Sequence, residues 1–145
     1  MISVFSIQNK LETNLMKNIF EKITLWALAI VMVIFGLNKF FGFIPVEPPI
    51  DPIAQSFMGA MFTSYLFIVV ALVEIVGGIL LTIPKTKLFG WLILLPVIFN
   101  IVAFHFAHDF IGNGFWLLPT LLFVIITYFQ FGIIKKSYRL WINIR

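Results

Sequence analysis

The chain has 145 residues, 61% of them hydrophobic and 11% charged, with a mean hydropathy of +1.08. A soluble domain carries about 25% charged residues, so this composition excludes a chain that faces water over most of its length. The absence of cysteine excludes disulfides, thiol redox chemistry and thiolate metal sites.

In chain order, residues 1–22 hold no long apolar core ahead of a cleavage site and do not read as a signal peptide. "MKNIFEKI" from Met16 reads as a natural start, and residues 1–15 are expected to be a poorly ordered extension. A bilayer core of about 30 Å needs about 20 apolar residues of helix. The first run that meets this is Ile23–Ile44. "PVEPPIDPIAQSFMG" follows, with Pro45, Pro48, Pro49 and Pro52. Proline at this density enforces extended or turn geometry, as a stiff connector or as a lid over a cavity opening outward. "IAQSFMGAMF" is predicted to start a short interfacial helix before the second run, Ala60–Ile83. The third run, Leu88–Ala107, contains Pro96, which should kink it. The fourth, Gly114–Ile134, carries Thr120, Thr127 and Gln130 along one face, expected to hydrogen-bond to other helices. Pro119 is expected to kink that helix too.

These runs are long and continuously apolar, without the alternation of barrel strands. With short links between them, an antiparallel four-transmembrane-helix bundle is the simplest packing. The predicted organisation is an N-terminal cytoplasmic extension (1–22), an all-α transmembrane domain (23–134) and a basic cytoplasmic tail (135–145). Charge placement gives the orientation. Lys10, Lys17 and Lys22 precede the first run, Lys85 and Lys87 separate the second and third, and Lys135, Lys136, Arg139 and Arg145 follow the fourth. The other two loops hold only Glu47, Asp51 and Asp109 as charges. By the positive-inside rule both termini are cytoplasmic. The net charge of +4 therefore reflects topology and contact with an anionic lipid surface by "KKSYRLWINIR", not nucleic-acid binding.

Ionisable groups within a span are expensive unless paired or hydrated, and are functional candidates for that reason. Lys39, Glu74 and His105 lie within the predicted spans, accompanied by Asn38 and Asn100. Lys39 either snorkels to the outer interface or binds an anionic or carbonyl-bearing ligand inside the bundle. Counting residues from the span boundaries puts Lys39 roughly 10 Å above Glu74 along the membrane normal, long for a direct bond. Gly77 and Gly78 share the Glu74 face, which turns the carboxyl toward the bundle interior. There it either bonds a neighbour such as Asn100 in its protonated form or carries protons or ligand. His105 and His108, spaced i, i+3, form a weak metal pair that Asp109 or Glu74 would complete; a hydrogen-bonded structural histidine is the plainer reading. No phosphate loop, nucleophile triad or dinucleotide fingerprint occurs.

"GLNKFFGFIP", "VEIVGGILLTI" and "LLPVIFNIVAFHF" in this order resemble the DoxX family of small bacterial membrane proteins, over about Trp26 to Leu118. The resemblance implies a four-helix protein of the bacterial inner membrane. It implies no specific reaction. The family takes its name from a relative associated with a thiosulfate:quinone oxidoreductase, and others are linked to redox stress or act as membrane partners. No cysteine or cofactor motif supports thiosulfate oxidation here. The expectation is a ligand-binding or accessory subunit of a membrane redox system. Asn38, Lys39, Glu74, Asn100 and His105 would line a polar pocket in the outer half of the bundle, with a quinone as one fitting ligand. The alternative is a non-enzymatic scaffold or chaperone of a membrane complex. Expected partners are the lipid bilayer, a redox enzyme subunit and further copies of the chain; a small proton-coupled carrier is disfavoured because no half-repeat is visible.

Overall fold

In the computed structural model the backbone is described for residues 2–108, 110 and 114–143, and side chains for 5–108, 110, 114–132 and 134–135. The chain forms α1 (Ile2–Phe41), α2 (Pro52–Thr63), α3 (Tyr65–Thr82), α4 (Lys87–His108) and α5 (Leu117–Asn143), with no strand among the described residues. Helices α1, α3 and α4 are long and apolar enough to cross a membrane, and α5 opens with a shorter apolar stretch, Leu117–Gly132.

The first helix is longer than its apolar run. No glycine precedes Gly36 and no proline precedes Pro45, so nothing stops a helix once nucleated. Its 40 residues extend about 60 Å. Residues 2–15, expected to be poorly ordered, are therefore helical, and the 22/23 boundary falls inside an unbroken helix. The boundary at 134/135 likewise falls inside α5. Gly42 ends α1 in a left-handed conformation (φ 62°), its N–H donating to the Asn38 carbonyl at 2.8 Å, a helix stop that favours glycine.

The predicted interfacial helix is α2. Asp51 caps it and Pro52 occupies its first turn, where a missing N–H does no harm. The long helix of the second apolar run begins at Tyr65, and residues 60–63 close α2 instead. Ser64 is extended (φ −101°, ψ 168°), and its side chain accepts the Leu66 N–H, so it caps α3 and separates it from α2. The fourth helix, α4, continues through Pro96. Pro119 lies in the first turn of α5, where it breaks no helical bond, so the expected kink there has no cause.

Helix α1 packs against α3 and α5, and α4 packs against the same two. Leu28 and Met32 (α1), Leu81 (α3), Trp91 and Leu94 (α4) and Phe123 and Ile126 (α5) form one buried cluster. At the same end Lys87 bonds Glu21 at 2.8 Å, and the Lys17 ammonium lies 5.8 Å from the ring centres of Tyr128 and Phe129. At the opposite end α2 lies against α3 and α4, with Phe57 on Phe104 at 5.5 Å.

Glycines set the helix spacing. A Cβ on Gly36 would meet the Ala71 carbonyl at 2.8 Å, and one on Gly78 the Ala29 carbonyl at 2.9 Å. Between α3 and α4, a Cβ on Gly90 would lie 2.8 Å from the Leu81 nitrogen and 2.9 Å from the Gly77 carbonyl. Backbones this close need small residues. Gly90→Ala should force α3 and α4 apart, costing about 1–3 kcal/mol. Thermal unfolding in detergent should shift down by several degrees, whereas Gly59→Ala, whose Cβ meets nothing within 4 Å, should not lower it.

Candidate functional site

The candidate site begins with register. Gly36 faces Ala71–Ile75 and Gly78 faces Ala29–Val33. These two close approaches place Lys39 level with about Val70, one turn or roughly 6 Å above Glu74. Helical side chains lean toward the helix N-terminus, so the lysine stem runs back down α1 across that turn. The Lys39 Nζ donates to Glu74 Oε2 at 2.6 Å; the lysine side chain is 18% exposed and the carboxylate 1%. The ammonium is turned to the carboxylate, not to the helix end. Counting from Ile23 and Ile83 overstated the axial gap because α1 runs on past Ile23, and its register with α3 is set by the glycines.

The other candidates have separate placements. The Asn38 Oδ1 accepts the Ile44 N–H at 2.6 Å, and its Nδ2 donates to the Ile44 carbonyl at 3.1 Å. Asn38 thus mimics a backbone strand and pins the segment after Gly42 over the end of α1. His105 stacks on Trp116, in the turn just before α5, ring centres 5.3 Å apart and planes 7° apart. It belongs to the stripe Leu94, Ile98, Ile101, His105, spaced as one helical face. Asn100 does not. It sits two residues, about 200°, from buried Ile98 and is exposed on the side away from the core. The expected Glu74–Asn100 contact is therefore replaced by Glu74–Lys39.

His108 and Asp51 form a pair that sequence reasoning missed. The His108 Nδ1 lies 3.2 Å from Asp51 Oδ2, while Asp51 Oδ1 accepts the Ile53 and Ala54 N–H groups at 2.7 and 3.4 Å. One carboxylate thus caps α2 and ties it to the end of α4. The Asp-Pro start of α2 was a readable cap signal; its histidine partner, 57 residues away, was not. The two histidines point to different partners, and among the described residues no three His, Cys, Asp or Glu side chains are grouped to hold a metal. Asp109 lies outside the described residues, as do the side chains of the basic tail from Lys136 onward.

The polar face of α5 is mostly turned on itself. The Thr120 and Thr127 hydroxyls donate to the carbonyls of Trp116 and Phe123, each at 2.7 Å, a local bond that competes with interhelical ones. Thr127 also accepts the Trp91 indole N–H at 2.9 Å, an interhelical bond of the expected kind. Gln130 is fully buried with neither amide atom partnered among the described residues. A separate open cleft of about 390 Å³ lies between the proline-rich segment and α2, lined by Val46, Pro48, Pro49, Met58 and Phe62 with Glu47 and Gln55 as polar members. None of the candidate residues lines it.

No family model, curated protein or solved structure matches the chain.

The Asp51 carboxyl is held below the usual aspartate range, chiefly by the Ile53 N–H and then by the His108 side chain. A depressed folded-state pKa stabilises above the unfolded value near about 4, and this is lost as pH falls through the lower folded value. Hydrogen-exchange protection of the Ile53 and Ala54 amides should therefore drop between pH 5 and pH 3. Asp51→Asn, which keeps a capping oxygen, should remove most of that dependence; a pH-independent wild type would contradict the assignment.

Proposed function

We propose that this chain is a DoxX-like protein of the bacterial inner membrane, an antiparallel bundle of four spans with both termini cytoplasmic. In this reading it is a ligand-binding or accessory subunit of a membrane redox system, and Lys39–Glu74 is its polar site. Three apolar helices of spanning length, the helix order α1–α3–α4–α5 around a common core and the one-sided placement of basic loops support the membrane part. The fourth span is the start of α5.

The observation that carries the functional part is the buried ion pair. Replacing such a pair with apolar side chains is often neutral or stabilising, and charges within a span are retained chiefly for use. The carboxylate is sealed at 1% exposure while the lysine keeps 18%. An anionic or carbonyl-bearing ligand, such as a quinone head group, would therefore meet the ammonium first and share it with Glu74. In the same half Asn38 holds Ile44 over the end of α1, and Asp51–His108 ties the start of α2 to α4.

The scaffold reading has one observation in its favour: Lys39 and Glu74 satisfy each other, and Asn38 is used up by Ile44. These three side chains are thus partnered without a ligand. Native mass spectrometry in mild detergent separates the two. The proposal expects an amphipathic small molecule on the wild type, lost in both Lys39→Met and Glu74→Gln. An empty wild type, with both variants folded, would sink it and favour the scaffold.

A further inference from the structure

We infer that the face of α4 turned away from the core is where two copies of this chain meet, with Asn100 hydrogen-bonded to Asn100 of the second copy. The inference rests on α4 being a membrane span, and not on the ligand proposed for Lys39–Glu74.

Asn100 lies about 20 Å along α4 from Lys87 and about 12 Å from His108. Both ends of the helix are thus far enough away that its short side chain cannot reach water. It is exposed on the chain's surface, and its side chain makes no hydrogen bond among the described residues. In hydrocarbon an amide left this way costs several kcal/mol. A second polar defect lies on the same side. Pro96 has no N–H, so the Leu92 carbonyl loses its usual helical donor; Leu92 is 47% exposed and Pro96 is exposed.

The surrounding face suits a helix partner. Pro96, Asn100, Ala103 and Ala107 are all exposed and follow one another at i, i+4, i+7 and i+11, a single stripe along the helix. Ala103 and Ala107 have the small-xxx-small spacing that lets two helix backbones approach within a membrane. Phe99 and Phe106, 72% and 73% exposed, border the stripe along one side and would pack beside the contact. The core-facing side of α4 is already occupied by α3 and α5.

The occupant follows from the chemistry of the amide. It carries a donor and an acceptor side by side, so it is complementary to itself. A second copy in the same membrane has the same orientation, and a twofold axis along the membrane normal brings Asn100 to Asn100 at equal depth. Any other partner would need a side chain with both groups at that level. A twofold contact also closes, leaving no further face open.

The absence of cysteine makes the test direct. Single-cysteine chains carrying Ala103→Cys or Ala107→Cys are oxidised in native membranes and compared with Ile68→Cys on α3 and Leu121→Cys on α5, both exposed positions. The expected result is a product of twice the chain mass from the α4 positions and little from the controls. Adding Asn100→Leu, which suits a lipid-facing site, should lower the cross-linked fraction by about tenfold, the scale of one amide bond between membrane helices. Asn100→Gln should retain most of it. Equal cross-linking at the control faces, a product of another mass, or a yield untouched by Asn100→Leu would overturn the inference while leaving the membrane reading intact. Recovery of the chain in the soluble fraction would overturn both.

Discussion

The close approach of α1 and α3 governs the rest of the structure. Gly36 against Ala71 and Gly78 against Ala29 leave no room for a Cβ, so the two backbones touch and their register is fixed. A shift of one residue would move Lys39 by about 1.5 Å along the axis and turn it by about 100°, away from Glu74. The ion pair is thus a consequence of two glycines as much as of two charges. Charge in a low-dielectric interior is tolerated only with good geometry, and here the glycines supply it.

The end of the molecule around that pair is assembled by bonds that mimic backbone. Gly42 stops α1, Asn38 holds Ile44 as a strand neighbour would, and Asp51 starts α2 while reaching His108. Together they lay a proline-stiffened segment and a short helix across one end of the helices. The opposite end is built differently, from a dense apolar cluster edged by Lys87–Glu21 and by Lys17 over Tyr128 and Phe129. One half is therefore an apolar cluster, and the other holds the buried ion pair.

Helices were legible in the sequence because length and continuous hydropathy leave few alternatives, and the short helix α2 was legible in "IAQSFMGAMF", though its Asp-Pro start went unread. The candidate polar residues divided on periodicity. Glu74 could be turned inward because Gly77 and Gly78 share its face, and it is buried. Asn100 was grouped with it by depth, but depth ignores azimuth, and two residues from Ile98 is the far side of a helix. The Lys39–Glu74 bond was out of reach of counting, since a span boundary uncertain by a few residues shifts the level by several ångströms, whereas backbone contact between glycines fixes it. The Asp51–His108 tie depends on how α2 folds back over α4, which no local pattern encodes.

The coupling between Lys39 and Glu74 tests this most directly. A double-mutant cycle with Lys39→Met, Glu74→Gln and the two combined, read by thermal unfolding in detergent, isolates their interaction from other effects. Each single change should lower stability. The combined change should cost less than the sum, with a coupling of about 1–3 kcal/mol. Strictly additive losses would mean that the two side chains do not meet, and that the register set by Gly36 and Gly78 is not the one the chain adopts.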